Sequence, residues 1–366
     1  MLLGCYVEVA KNDLEQIPEV DICLRNSEKV NIVKYIEKYE EIKKNNKSYL
    51  EEITSCNEQN VFSDTNYTEF GNVTYTEKTR AVIKVQDGCD RFCSYCLIPY
   101  ARGRIRSRNP KNVIEEIKNI ANSGIKEVVI TGIHVASYGK DLKNNYKLID
   151  LLEEINEIKG IERIRLGSIE PLLISEEFLN RLSKLEKICQ HFHLSLQSGC
   201  DETLKRMNRR YTTSEFNEIV QKLRKMYPNC ILTTDVIVGF PGESDEEFEK
   251  TYNFLRNIKF YKIHVFKYSI RKGTKAAEMK NQILPEIKEE RSNKLLELSD
   301  ECENEYLKLH LGKEMNVLFE TQEDEFWKGH TSNYLVVKVK SNQDLNNKIA
   351  KVKLEKLDGL CIIGVI

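Results

Sequence analysis

The sequence predicts an α/β chain centred on a parallel sheet curled into a partial (β/α)6 barrel, with a small β-barrel after it. Three observations carry that expectation. Between Arg80 and about Tyr268, six short, β-branched apolar runs alternate with longer stretches of helical period, the pattern of right-handed βαβ crossovers. That segment is under 190 residues, short of the about 250 of a closed eight-unit barrel. From Lys313 to Ile366 the pattern changes to short strands separated by turns, the habit of a small antiparallel barrel.

The central strands fall at 81–86, 126–131, 161–168, 190–196, 231–238 and 260–267, and the helices between them at 110–123, 147–158, 175–186, 213–226 and 244–257. Pro110 takes a first-turn position, where its missing N–H is tolerated. Thr212 with Glu215 and Ser244 with Glu247 are capping boxes, and Gly124 is a left-handed helix end. Pro285 opens an amphipathic helix over 285–310 that stops before Gly312. Tail strands are expected at 315–320, 334–340, 349–354 and 359–364. Lys338, Lys340, Lys351 and Lys353 alternate there with apolar residues, giving one basic face. Ahead of the sheet, residues 1–36 hold short apolar pieces and a helix over Asn12–Gln16. Residues 37–79 are a mixed-charge surface helix followed by a polar linker. The organisation is then 1–36, 37–79, 80–310 and 311–366.

Of 366 residues, 31% are charged and 40% hydrophobic, ordinary for a globular protein. A net charge of −1 excludes a whole-molecule positive field, so nucleic-acid binding would rest on local patches. Eleven scattered cysteines, with no signal peptide or apolar span, fit a reducing cytoplasm and no membrane association.

The chemistry concentrates in Cys89-Asp-Arg-Phe-Cys93-Ser-Tyr-Cys96, a C-x3-C-x2-C loop directly after the first central strand. Three thiolates so close can wrap one metal centre from one side. Iron–sulfur clusters normally take four cysteines, so three leave one iron open to a ligand that is not protein. A structural zinc site or a disulfide is the alternative, but zinc prefers four closed ligands and C-x2-4-C pairs, and the chain has no second C-x2-C pair. Ligands of parallel α/β sheets collect at the carboxyl ends of strands. There the chain places Gly132, Ser168, Glu170, Gln197 and the Gly239-Phe-Pro-Gly-Glu243 turn, residues suited to close backbone approach or to the amine, carboxylate or ribose of a cofactor. Asp235, inside an apolar strand, needs a partner and is expected to face the cavity. His134 and His193 are unassigned. Two basic tracts, Arg102, Arg104, Arg106, Arg108 and Lys205, Arg206, Arg209, Arg210, flank this end and suit RNA phosphate. Trp327 and Tyr334 would either stack on bases or fill the small barrel's core.

These stretches resemble a known family. Val85-Gln-Asp-Gly-Cys89, Leu97-Ile-Pro-Tyr-Ala-Arg-Gly-Arg104, Leu194-Ser-Leu-Gln-Ser-Gly-Cys200, Asp235-Val-Ile-Val-Gly-Phe-Pro-Gly-Glu243 and Tyr268-Ser-Ile-Arg-Lys-Gly-Thr274 are similar to the radical S-adenosylmethionine (SAM) methylthiotransferases. Gly329-His-Thr-Ser-Asn-Tyr334 resembles their RNA-binding TRAM barrel, which makes Lys338 and Lys340 RNA contacts. The resemblance implies a 4Fe–4S cluster on Cys89, Cys93 and Cys96 that binds SAM at its fourth iron, with Gly132, Ser168, Glu170, Gln197 and Asp235 around the cofactor. One electron, from a donor such as flavodoxin or ferredoxin, would cleave SAM to a radical that abstracts hydrogen from tRNA. A second, auxiliary 4Fe–4S cluster would supply sulfur, and another SAM the methyl group. Gly4-Cys5-Tyr6 resembles the third cysteine motif of the family's amino-terminal domain, which makes Cys5 an auxiliary-cluster ligand. The two cysteines expected upstream are missing, so residues 1–36 read as a remnant of that domain. Within the family, Asp90-Arg-Phe-Cys-Ser-Tyr-Cys96 and Tyr100-Ala-Arg-Gly-Arg104 are most similar to enzymes acting on N6-threonylcarbamoyladenosine at tRNA position 37, with the isopentenyladenosine enzymes second. A SAM- and tRNA-binding protein without sulfur transfer is the contrasting reading.

Overall fold

A computed structural model describes residues 1–14, 17–44, 61–71 and 79–366. The first piece pairs β1 (Leu2–Leu3) in parallel with β2 (Cys23–Leu24), with α1 (Cys5–Val9) and α2 (Lys11–Leu14) between them. The expected helix over Asn12–Gln16 thus starts earlier, and residues 15–16 lie outside the described residues. Helix α3 (Ile32–Lys44) runs through the expected boundary at residue 36 and covers Ile22 and Leu24 with Ile32, Tyr35, Tyr39 and Ile42. Most of the expected linker, including Cys56, lies outside the described residues. Its described part is tied down: the Tyr67 hydroxyl donates to Lys84 O at 3.0 Å, and Glu69 accepts from Arg108.

The centre holds six parallel strands in sequence order. Strand β3 (Arg80–Asp87) pairs with β5 (Glu127–Gly132), which pairs with β6 (Arg163–Leu166). Strand β7 (His191–Gln197) pairs with β8 (Ile231–Val238), and β8 with β9 (Lys262–Lys267). Among the described residues the halves are joined in β-pairing by the single bridges Ile164–Ile188 and Ile169–Leu194 alone, so the sheet curls as two three-stranded panels rather than closing. A two-residue antiparallel strand, β4 (Arg106–Ser107), edges β3 and was not expected from the pattern.

Alternation decides what each strand shows to each side. Ala81, Ile83, Val85, Val128, Ile130, Leu194, Leu232 and Val236 are buried in one core with the apolar faces of α5 (Pro110–Asn122), α6 (Leu148–Asn156), α7 (Glu176–Leu182), α9 (Thr213–Met226) and α10 (Asp245–Ile258). Both capping boxes form, Thr212 and Ser244 each accepting from the third helical amide. The unpredicted helices α4 (Ile98–Arg102) and α8 (Asp201–Arg206) are a turn or two long, too short for a period to register. The other strand face, with Lys84, His193, Gln197, Asp235 and His264, lines the inside of the curl.

After α11 (Lys275–Glu278), helix α12 (Pro285–His310) crosses β9 and leads into a closed barrel in the order β10 (Glu314–Glu323), β11 (Phe326–Thr331), β12 (Val336–Lys340), β14 (Cys361–Val365), β13 (Ile349–Asp358). Five strands replace the expected four, because β11 (Phe-Trp-Lys-Gly-His-Thr) lacks the apolar alternation of its neighbours. The barrel docks on the amino ends of the central strands. Arg163 donates to His330 O and Asn316 O at 2.8 Å each, and Arg165 to Ser332 O at 3.2 Å. Trp327 is buried in the barrel core. Tyr334 is stacked between His191 and His330, 4.9 and 4.8 Å between centroids, with the Arg165 guanidinium 4.7 Å from its ring. Neither aromatic is placed to stack on bases; both are structural.

Candidate functional site

The cysteine loop sits at the opposite, carboxyl end. Gly88 adopts φ +71, and a Cβ there would lie 1.8 Å from Arg104 O, so only glycine lets the loop turn so close to the 103–104 backbone. Cys89 N then donates to Gly103 O at 3.0 Å. Gln86, fully buried, locks the turn from beneath: its Nε2 donates to Asp87 O and Gly88 O at 2.6 and 2.7 Å, and its Oε1 accepts from His134 N at 2.7 Å. A polar residue ending an apolar strand was the available signal for it.

Cys89, Cys93 and Cys96 are free thiols, each half-buried. Burial pushes the Cys89 thiol up to about 11, against one backbone N–H from Arg91 that favours the thiolate, and burial raises Cys96 as well. A metal bound here therefore displaces protons. Arg209, itself turned inward, places Nη1 3.5 Å from Cys93 Sγ, and Ile98 N lies 3.4 Å from Cys96 Sγ. The charges and N–H donors aimed at sulfur suit thiolate ligands. Among the described residues no three His, Cys, Asp or Glu side chains converge on a single ion. Three thiols within one eight-residue loop fit the donor set of an iron–sulfur cluster.

Beside the loop opens a cavity of about 410 Å3 lined by Cys5, Tyr95, Cys96, Gln197, Asp235, Phe266, Tyr268 and Arg271. The structure thus brings Cys96, Gln197, Asp235 and Cys5 to one space. Asp235 is half-buried and paired with His193, Nε2 to Oδ2 at 3.0 Å. Glu170 lies outside that lining but beside the loop: it pairs with Arg91 and accepts from His134 Nε2 at 2.9 Å. Burial opposes its charge, yet His134 and Arg91 hold its carboxyl below the usual range. Gly132 packs on Gln86, where a Cβ would meet side chain and backbone at 3.0 Å, and Ser168 is exposed on the rim. His134 and His193, unassigned from the sequence, are the partners of the two site carboxylates; only strand adjacency reveals those pairs.

The basic tracts need correction. Arg106 and Arg108 are 6% and 7% exposed. Arg106 lies 3.8 Å from Asp87, and Arg108 binds Glu116 and, at 2.8 Å, Glu69. Neither can reach RNA phosphate. Arg102 bridges Asp87 and Cys5, with Nε 3.1 Å from Sγ. In the second tract Arg206 is held by Glu247 and Arg209 by the site. Arg104 stays 59% exposed, 3.5 Å from Asp90. On the barrel, Lys340 pairs with Glu325 at 2.6 Å, and Lys338 lies 3.8 Å from Asp358.

A half-open parallel barrel with a three-cysteine loop after its first strand defines a class, and the model of the Radical SAM superfamily matches residues 83–255. Over 359 residues the chain is 39% identical to the threonylcarbamoyladenosine tRNA methylthiotransferase MtaB of Bacillus subtilis (strain 168), covering 96% of this chain and 77% of that protein. The MtaB of Aquifex aeolicus (strain VF5) is 40% identical over 315 residues, 86% of this chain and 74% of its own length. A tRNA-2-methylthio-N(6)-dimethylallyladenosine synthase of Caldicellulosiruptor saccharolyticus is 42% identical over 280 residues, 76% of this chain and 59% of that protein. The chain belongs to the radical-SAM tRNA methylthiotransferases. Its cofactors are accordingly a 4Fe–4S cluster and SAM. Among the described residues no helix is long and apolar enough to cross a membrane.

Proposed function

We propose that this protein places a methylthio group on carbon 2 of N6-threonylcarbamoyladenosine at tRNA position 37. The observation that carries the reading is the loop of Cys89, Cys93 and Cys96 opening on the cavity lined by Gln197 and Asp235, within a chain aligned along 96% of its length with a threonylcarbamoyladenosine enzyme. When bound, the cluster and SAM supply the radical that activates an aromatic C–H bond; the chain's own residues hold and screen them. Arg209 and the Ile98 amide support the sulfurs, and Gln86 fixes the loop.

Cys5 is proposed as a ligand of the auxiliary, sulfur-donating cluster. Its place on the lining of the cavity that Cys96 also lines supports that role. The closed barrel of 314–365 is proposed as a TRAM module, with exposed Arg104 and Lys340 and half-buried Lys338 as RNA contacts. A small iron–sulfur or flavin protein such as ferredoxin or flavodoxin is the proposed electron donor, and the cytoplasm the proposed site of action. The 42% identity to the dimethylallyladenosine synthase favours isopentenyladenosine as the second reading. Mass spectrometry of tRNA nucleosides from a deletion strain separates them. The reading expects 2-methylthio-N6-threonylcarbamoyladenosine to vanish and its unthiolated precursor to accumulate; loss of the isopentenyl product instead selects the second reading.

A further inference from the structure

Below the cavity, the inner faces of β7, β8 and β9 carry a second cluster that the cysteine loop does not use. His193 is fixed at both nitrogens, Nδ1 2.9 Å from Thr233 Oγ1 and Nε2 3.0 Å from Asp235 Oδ2. Asp235 and His264 are direct partners across β8 and β9, and the His264 ring lies 5.6 Å from that of His193. Among the described residues neither His264 nor Asp235 Oδ1 has a hydrogen-bond partner. Two residues along the same face of β9, Phe266 is 54% exposed on the cavity wall.

This wall sets an open apolar ring face beside polar groups that no protein group among the described residues satisfies. A large aromatic face left open beside unpaired donors and acceptors fits a flat ring that carries a hydrogen-bonding arm. We infer that Phe266, His264 and Asp235, the last oriented by His193, form the subsite for an adenine base bearing a polar N6 substituent. This rests on the reading of the chain as a tRNA-adenosine enzyme and names how it would choose its substrate. The base stacks on Phe266. A threonylcarbamoyl arm offers ureido N–H groups to the Asp235 carboxylate, and carbonyl and carboxylate oxygens to His264. An isopentenyl arm offers neither and would leave both residues desolvated and unpaired, the circumstance in which a polar site rejects an apolar analogue most strongly.

Reconstituted holoenzyme with SAM is titrated at fixed salt with three anticodon stem–loop RNAs that differ only at the adenosine: threonylcarbamoyl, isopentenyl and unmodified. The wild type is expected to bind the threonylcarbamoyl form about tenfold tighter than the unmodified one. His264→Leu should erase that preference while His264→Gln keeps part of it. Phe266→Ala should weaken all three RNAs alike, by about tenfold. A wild type without the preference, or a folded His264→Leu that retains it, overturns the inference. Nucleoside mass spectrometry stands apart from this binding test, so the substrate reading and the subsite can fail separately.

Discussion

The two ends of the central sheet are built from the same strands and hold opposite chemistry. At the amino end the inward charges of Glu127, Arg80, Arg163 and Arg165 are answered by protein. Glu127, 1% exposed, faces Arg165 at 2.7 Å, Arg163 at 3.7 Å and Arg80 at 4.0 Å, and the C-terminal barrel caps the cluster with carbonyls and Tyr334. At the carboxyl end the thiols of Cys89, Cys93 and Cys96, the free oxygen of Asp235 and the ring of His264 are left to ligands. A sheet whose inner face carries this many charged groups must be plugged somewhere, because a buried unpaired charge is too costly to keep. Plugging one end with a folded module frees the other for cofactor and substrate.

The largest way to break this contrast is at Glu127. Glu127→Gln removes the one carboxylate shared by three arginines, leaving buried positive charge uncompensated, which costs about 3–5 kcal/mol. The urea midpoint should fall accordingly, and folded protein at low temperature should still take up iron and sulfide normally. A variant as stable as the wild type would mean that the barrel's carbonyls alone satisfy Arg163 and Arg165.

At the other end the support is for a ligand, not for the fold. Arg209→Gln takes away the cation 3.5 Å from Cys93 Sγ and is expected to speed loss of iron to a chelator by about 10–100-fold, the usual weight of a residue behind a metal ligand. Iron release at the wild-type rate would reduce Arg209 to a brace for Ser195 O and Tyr211, its other partners.

How much of this was legible in the sequence follows the same division. Strand β8 and helix α9 lie where the pattern placed them, because apolar alternation and a capping box are local signals. The cysteine loop was legible because its ligands sit within eight residues. Partnerships across strands were not: Asp235 with His193 and Glu170 with His134 join positions 42 and 36 apart. Arg106 and Arg108 read as a phosphate tract because spacing reveals their shared face but not that Asp87 and Glu116 occupy it. Tyr334 has φ +79, a backbone that L residues rarely adopt, with its ring stacked on neighbouring His330 and on His191, far away in the chain.

His191 offers the finest test of the plugged end. It is stacked on Tyr334, its Nε2 lies 3.1 Å from Thr233 Oγ1, and burial, with Arg165 nearby, drives its pKa down to about 3. The unfolded chain takes up a proton near pH 6.5 while the folded one refuses it, so the unfolded state binds more protons between those values. Stability is therefore indifferent to His191 above about pH 6.5 and falls as pH drops below it. Between pH 7.5 and 5.5 the loss from this group amounts to about 1.4 kcal/mol. His191→Phe keeps the stacking surface and cannot titrate, so its urea midpoint should fall less over that interval by about this amount. Equal acid slopes for variant and wild type would show that the interface opens to admit the proton, and that the plug at the amino end is looser than its packing implies.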